Sequence, residues 1–310
     1  MGCKSCLISA SNVGTLSTTT MGLPIGPWYM PLVADDGTRN ALDASAAPIT
    51  YAEIVALINH PDPSKRIYPA GELKGIENAR ADAAFETFGD DSKAKLRDGL
   101  KSFVGMRKGQ DARHLAKWES LFCKFDGNLG AFIVDVCENI HGDGYGDKKL
   151  YPTPINTLSA DFKHIPQSDT AATAVQHKFD WARYTADKNL YMYRAGIEIE
   201  DGAILTTLNG LVDIFGEFSN IDGATGLDAK LTADYGGMYG EPLTGFVATD
   251  LTFTKQSDGT TFQPDAITYD ENGLATITWA LPVAADTLNL SISKDGYDST
   301  ILSQVDIVIP

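Results

Sequence analysis

The chain has 310 residues, 43% apolar and 21% charged, a composition that excludes wholesale disorder and, at this length, gives room for about two domains. Its net charge of −16 is unevenly spread: residues 1–196 carry 23 acidic and 22 basic side chains, whereas 197–310 carry 18 acidic and 3 basic. A region so acidic repels polyanions, nucleic acid included, and bears on partners and solubility rather than on fold.

The N-terminal MGCKSCLISASNVG lacks the apolar run of a signal peptide, and no stretch of 18 or more apolar residues could span a bilayer, so neither secretion by that route nor a membrane span is expected. Cys6 stands where a myristoylation pattern wants Ser or Thr. Cys3 and Cys6 form a C-x-x-C pair with no second Cys/His pair to complete a zinc site, and Cys123 and Cys137 lie in apolar runs and are expected as buried thiols. Trp28 to Leu32 reads as a strand entering the turn Asp35-Asp36-Gly37. Thr50 to Asn59 is the clearest helix. Thr50 and Glu53 make a capping box, Ile54, Val55, Leu57 and Ile58 an apolar face, and Pro61 and Pro63 a stop.

Residues 70–84 carry helix-forming side chains around a central Gly75 and remain ambiguous. From Lys93 to Lys117 eight cations cluster, but Asp91, Asp98, Asp111 and Glu119 are interleaved with them. That mixture favours a solvated or subunit-facing surface over a nucleic-acid patch. Ala131 to Val136 is β-rich, and the following HGDGYGDKK is glycine-rich enough to predict an irregular loop. Strict alternation at Val175, His177, Phe179 and Trp181 predicts a strand with His177 on its packed face, and Tyr191 to Glu200 continues the same period.

In that last segment Glu198 and Glu200 share one face of the strand while Ile197 and Ile199 share the other. Two carboxylates about 7 Å apart repel by roughly 0.6 kcal/mol in bulk water. Asp201, Asp213, Glu217, Asp222, Asp228 and Asp234 follow, with Lys230 as the single cation of 197–250. Beyond GEPLTG the chain shows short alternating strands: Val247, Leu251 and Phe253; Ala275, Ile277 and Trp279; Leu288, Leu290 and Ile292; Val305, Ile307 and Ile309. Their spacing predicts a small immunoglobulin-type β-sandwich.

Catalytic signatures are scarce. No G-x-S-x-G, H-E-x-x-H or phosphate-loop sequence occurs, and the five histidines are scattered without ligand spacing. Counted from Asp143, the twelfth position of a calcium loop, where Glu is wanted, is Pro154. No catalytic, cofactor-binding or metal residue is assigned, and an enzyme is not expected.

The segments MPLVADDGTRNALD, NHPDPSKRIYP, ARADAAFETF, LRDGLKSFVG, FIVDVCENIHG and LYPTPIN, spread over roughly residues 28–190, together resemble virion structural proteins of tailed bacteriophages. The likeness is greatest to tail tube (major tail) proteins of phages infecting Bacteroidetes. It implies a β-sandwich or barrel core, hexameric rings stacked into a tube, other tail proteins as neighbours, and no catalytic residues. One departure is Glu138, where a glycine-like turn is expected. The resulting expectation is a mainly β chain with at least one short α-helix, divided into a tail-tube-like domain over 1–244 and an immunoglobulin-like β-sandwich over 245–310. Glu198, Glu200, Asp201, Asp213 and Glu217 are expected to face a lumen through which double-stranded DNA passes without specific binding. The expected location is the virion tail, after synthesis in the host bacterial cytoplasm, with no membrane partner. A head decoration or fibre protein and a carbohydrate-binding adhesin are the rival readings, the latter pointing to Tyr235, Tyr239 and Phe246 as an aromatic cluster.

Overall fold

The computed structural model describes residues 7–8, 18–19, 23–46, 49–89, 91–136, 138–182, 189–194, 208–233, 241–279 and 285–310. The chain is mainly β, with several sheets of the β-sandwich and barrel-like class and, among the described residues, two α-helices, and it divides into two compact units, Met1–Gly210 and Leu211–Pro310. The division lies at 210–211 and not at the expected 244–245. The reason is hydrophobic: Ile214, Leu227, Ala229 and Leu231 share one core with Leu251, Phe253, Ile277, Leu288 and Leu290. The hairpin formed by Val212–Asp222 and Gly226–Ala233 therefore belongs to the C-terminal sandwich.

The first unit is built around the strand Leu129–Asp135, all seven residues of which are buried. Along one edge it pairs antiparallel with Pro24–Pro31. Along the other it has two successive partners, Thr153–Asn156 at Gly130–Ala131 and Asn139–Gly144 at Ile133–Val134. The sheet forks there. One branch runs through Ala174–Trp181 and Lys101–Lys108 to an edge at Lys74–Arg80, and the other through Lys149–Tyr151 to Leu42–Asp43, with Leu190–Arg194 beside Asn139–Gly144.

An aromatic core fills one side of this sheet. Tyr29 meets Phe122 edge-on at 5.1 Å between centroids and Phe179 at 5.9 Å, and Phe179 stacks on Phe103 at 5.1 Å. Helix α1 (Tyr51–Ile58) has the expected capping box between Thr50 and Glu53 and buries Ile54 and Ile58. Helix α2 (Ala112–Lys124) starts at Asp111, whose carboxylate accepts from the Arg113 and His114 amides, and it buries Leu121 and Phe122. Cys123 lies on its outer side, exposed rather than buried as expected, because Leu121 and Phe122 take the inward positions; Cys3, Cys6 and Cys137 lie outside the described residues.

Three further expectations change. Residues 74–80 form an edge strand and no helix, with Gly75 (φ +62°) at the bulge in its pairing. The first half of HGDGYGDKK is a fully buried strand rather than a loop. Its glycines answer to close packing: a Cβ at Gly142 would sit 2.5 Å from the Tyr151 carbonyl oxygen, and one at Gly144 would sit 2.6 Å from the Tyr191 ring. Val247 is exposed, ahead of a strand that begins at Leu251, and Phe246 takes the inward place. Glu138 does fill a glycine-like turn, with φ +61° and its amide donating to the Asp135 carbonyl at 2.9 Å.

In the second unit, a sheet ordered Ala266–Tyr269, Ala275–Thr278, Gly226–Ala233, Val212–Asp222 and Tyr297–Asp298 faces one ordered Thr261–Phe262, Leu251–Lys255, Thr287–Ile292 and Ile307–Val308. The alternation expected at Ala275, Ile277 and at Leu288, Leu290, Ile292 holds, with those residues inward.

Gly142→Ala is expected to destabilise the first unit by about 1–3 kcal/mol, the usual range for overpacking. Gly89→Ala, whose added methyl meets nothing within 4 Å, should stay within about 0.5 kcal/mol. Calorimetric melting of both variants checks this. Equal melting temperatures would refute the close crossing as the reason for Gly142.

Candidate functional site

Of the five expected lumen residues, Glu198, Glu200 and Asp201 lie outside the described residues. Asp213 and Glu217 lie on Val212–Asp222, where Ile214 is buried and a Cβ on Gly216 would strike Leu302 of the core. Alternation then sends Asp213, Phe215 and Glu217 outward together. Four residues of extended chain separate the carboxylates by about 13 Å, beyond the roughly 8 Å screening length of physiological salt, so they form a row without appreciable mutual repulsion. Lys230 is the residue directly across from Glu217. Residues directly opposite in a sheet interact, so Glu217 faces the one cation of its hairpin. The sequence holds Lys230 in plain view, but only the strand register shows which carboxylate it opposes.

The second unit carries fifteen carboxylates against Lys230, Lys255 and Lys294, net −12. Much of this acidity is turn chemistry. Asp222 accepts from the Ala224 amide and the Thr225 hydroxyl, Asp258 from the amide and hydroxyl of Thr260, Asp270 from the Asn272 and Leu274 amides, and Asp298 from the amide and hydroxyl of Thr300. Short acidic side chains close turns by bonding backbone two residues on. Asp228 instead bridges strands, accepting from Asn220 and Thr276. These hydrogen bonds hold the carboxyls of Asp222, Asp228, Asp258 and Asp270 below the usual range, so they remain charged. The legible signal was Asp followed two residues later by Thr, Ala or Asn.

Among the described residues the first unit has one buried acid–histidine pair. Asp135 Oδ2 lies 2.9 Å from His141 Nε2, and the same carboxylate accepts from the amide and side chain of Asn139. Asp135 is fully buried and His141 4% exposed. A proton-transfer pair needs a solute within hydrogen-bond reach; this one, shut off from solvent, fixes the hairpin between Leu129–Asp135 and Asn139–Gly144. Nor do the carboxylates of HGDGYGDKK converge. Asp143 is buried, which pushes its carboxyl up, and accepts from the Thr153 hydroxyl at 2.9 Å, whereas Asp147 accepts from the Tyr151 hydroxyl at 2.6 Å. Among the described residues no group of three or more His, Cys, Asp or Glu is placed to hold a metal ion. No family model, curated protein or solved structure matches the chain.

His177 is on the packed face, as its alternation predicts. Its Nδ1 lies 3.1 Å from the Tyr29 hydroxyl, and its ring is edge-on to Trp118 at 5.0 Å and to Phe162 at 5.2 Å. Nε2 has no hydrogen-bond partner among the described residues. Burial, with a smaller contribution from the Arg107 charge, lowers the imidazole to about 3. In the unfolded chain it titrates near 6.5. Because the unfolded state binds the proton first, stability is fully present above about pH 6.5 and falls as the pH drops, approaching about 1.4 kcal/mol per pH unit. Urea midpoints between pH 6.5 and 5 should show this slope. His177→Phe should flatten it while lowering the midpoint at neutral pH, since Tyr29 loses its partner; a variant with the same slope would assign it to other groups.

Proposed function

We propose that this chain is a virion structural protein, a tail tube protein of a tailed phage whose copies form hexameric rings stacked into a conduit for double-stranded DNA. The observation that carries the reading is the charge of the second unit, net −12, with Asp213 and Glu217 in a row on one outward strand face that also bears Lys230. Every cation that meets a phosphate adds sequence-independent adhesion. A wall of carboxylates replaces adhesion with a repulsion that reaches only about 8 Å in physiological salt, which favours sliding over blockade.

Glu198, Glu200 and Asp201, lumen candidates from the sequence alone, lie outside the described residues, and in this reading the sheet bearing Asp213 and Glu217 turns its outer face to the DNA. That places the second unit in the tube wall, where a separate 245–310 module would have sat outside. The first unit, with 26 acids against 22 bases, has the mixed charge suited to contacts with neighbouring copies and other tail proteins. The role is one of assembly, without catalysis or cofactor.

Negative-stain microscopy of the purified chain at high concentration tests the assembly, with sixfold rings or tubes expected. Dispersed monomers or trimers would favour a head decoration or fibre protein. The lumen is tested separately by E198K/E200K and D213K/E217K, which should assemble and slow DNA ejection. Normal tubes with unchanged ejection in both variants would remove the lumen assignment.

A further inference from the structure

Between the edge strand Lys74–Arg80 and its partner Lys101–Lys108 the chain continues as a two-stranded ribbon. The Ala81 amide donates to the Leu100 carbonyl at 2.8 Å, and Ala84–Thr87 then pairs with Lys93–Arg97. This outer hairpin pairs with no other described strand. No described residue from Ala81 to Leu100 is buried. From Ala81 to the tip at Phe88 the ribbon extends for about 25 Å. Its neck is tight: a Cβ on Gly99 would overlap the Ala81 carbonyl.

A lone two-stranded hairpin is at best marginally stable in water. This one also exposes Phe85 (55%), Phe88 (46%), Leu96 (63%) and Leu100 (37%). Four large apolar side chains on an otherwise unsupported ribbon mark an element made to be covered, with Phe85 on one face and Phe88 and Leu96 on the other. The pairing of Phe85 with Lys95 and of Thr87 with Lys93 puts both lysines on the face that carries Phe85, where Lys95 also pairs with Asp98. An apolar seat among carboxylates would complement it.

The second unit offers one at Val308. Ile307–Val308 is an edge strand of its sheet, Val308 is 62% exposed, and Asp306, which accepts from the side chains of Gln256 and Asn289, lies two residues before it on the same outward side. Asp286 stands next to Thr287, the residue paired with Val308. We propose that the ribbon from Ala81 to Leu100 is an association arm, and that it docks on the face around Val308 and Asp306 of a second copy of this chain.

Each copy carries both halves, a lysine-bearing apolar arm and an acidic apolar seat within a unit of net −12. Unlike surfaces that meet head-to-tail propagate into a ring or a filament. The arm comprises twenty residues, 81–100, the size of one side of a standard interface at about 20–30 residues. Nucleic acid is the weaker occupant, because Glu86, Asp91 and Asp98 are interleaved with the cations and the four apolar side chains would gain no cover from phosphates. The inference stands apart from the tube reading, since arm exchange could equally build a dimer or trimer.

Sedimentation velocity of the full chain over a concentration series tests it, with circular dichroism confirming that each variant is folded. The wild type should associate. F85S/L96S on the arm and V308S at the seat should each weaken association at least tenfold. K93E and D306K should each weaken it, and the K93E/D306K pair should recover most of the loss by restoring opposite charges. A wild type that stays monomeric, folded arm variants that associate normally, or a charge swap that fails to recover would each overturn the proposal. So would binding of a labelled DNA duplex that K93E abolishes while self-association is untouched. Hexameric rings persisting in F85S/L96S would overturn the arm and leave the tube reading standing; arm-dependent dimers or trimers without rings would do the reverse.

Discussion

The first unit depends on satisfying the backbone of one strand. Leu129–Asp135 is buried throughout, so every amide and carbonyl it turns outward must find a partner without help from water. Pro24–Pro31 serves one edge, and two different strands share the other. That sharing forks the sheet, and the fork brings Asn139–Gly144 directly after the strand as its hairpin partner. The turn between them then needs a left-handed residue, supplied by Glu138, and a local acceptor, supplied by Asp135. The aromatic packing of Tyr29, Phe122 and Phe179 covers the frame so defined.

The parts of the fold legible in the sequence are those whose signals are local and periodic. Thr50 and Glu53 announce a helix start through two reciprocal hydrogen bonds, and the period of two at Val175–Trp181 tells inside from outside. Residues 139–144 misled because glycine has two uses. It frees a backbone to turn, and it lets another chain come close; at Gly142 and Gly144 the second applies, and only the neighbours reveal it. Residues 74–80 misled for another reason: Glu, Lys and Ala favour helices, but pairing with Lys101–Lys108 overrides propensity. Helix α2 is marked by its Asp111 cap and by Leu115, Trp118 and Phe122 on its apolar side, but the cations interleaved along it mask that stripe in the sequence.

The candidate site was legible as charge and not as arrangement. Counting places the excess of acids after residue 196, yet the count treats alike an aspartate that closes a turn and a glutamate that faces a lysine across a strand pair. Asp222, Asp258, Asp270 and Asp298 are primarily structural, and for the first three the lowered pKa is a by-product of being good acceptors. The domain boundary escaped for a related reason. GEPLTG is strong turn chemistry, but a boundary is set by which apolar side chains share a core, and Ile214 and Leu231 share theirs with strands about twenty to ninety residues downstream.

Gly142 and Gly144 also limit how this sequence can drift. Most surface positions accept replacement at little energetic penalty, so descent can erase nearly all identity from them. At these two positions every other side chain must displace the Tyr151 carbonyl or the Tyr191 ring. Replacement there is a matter of volume before polarity, since any side chain, charged or apolar, starts with the same Cβ.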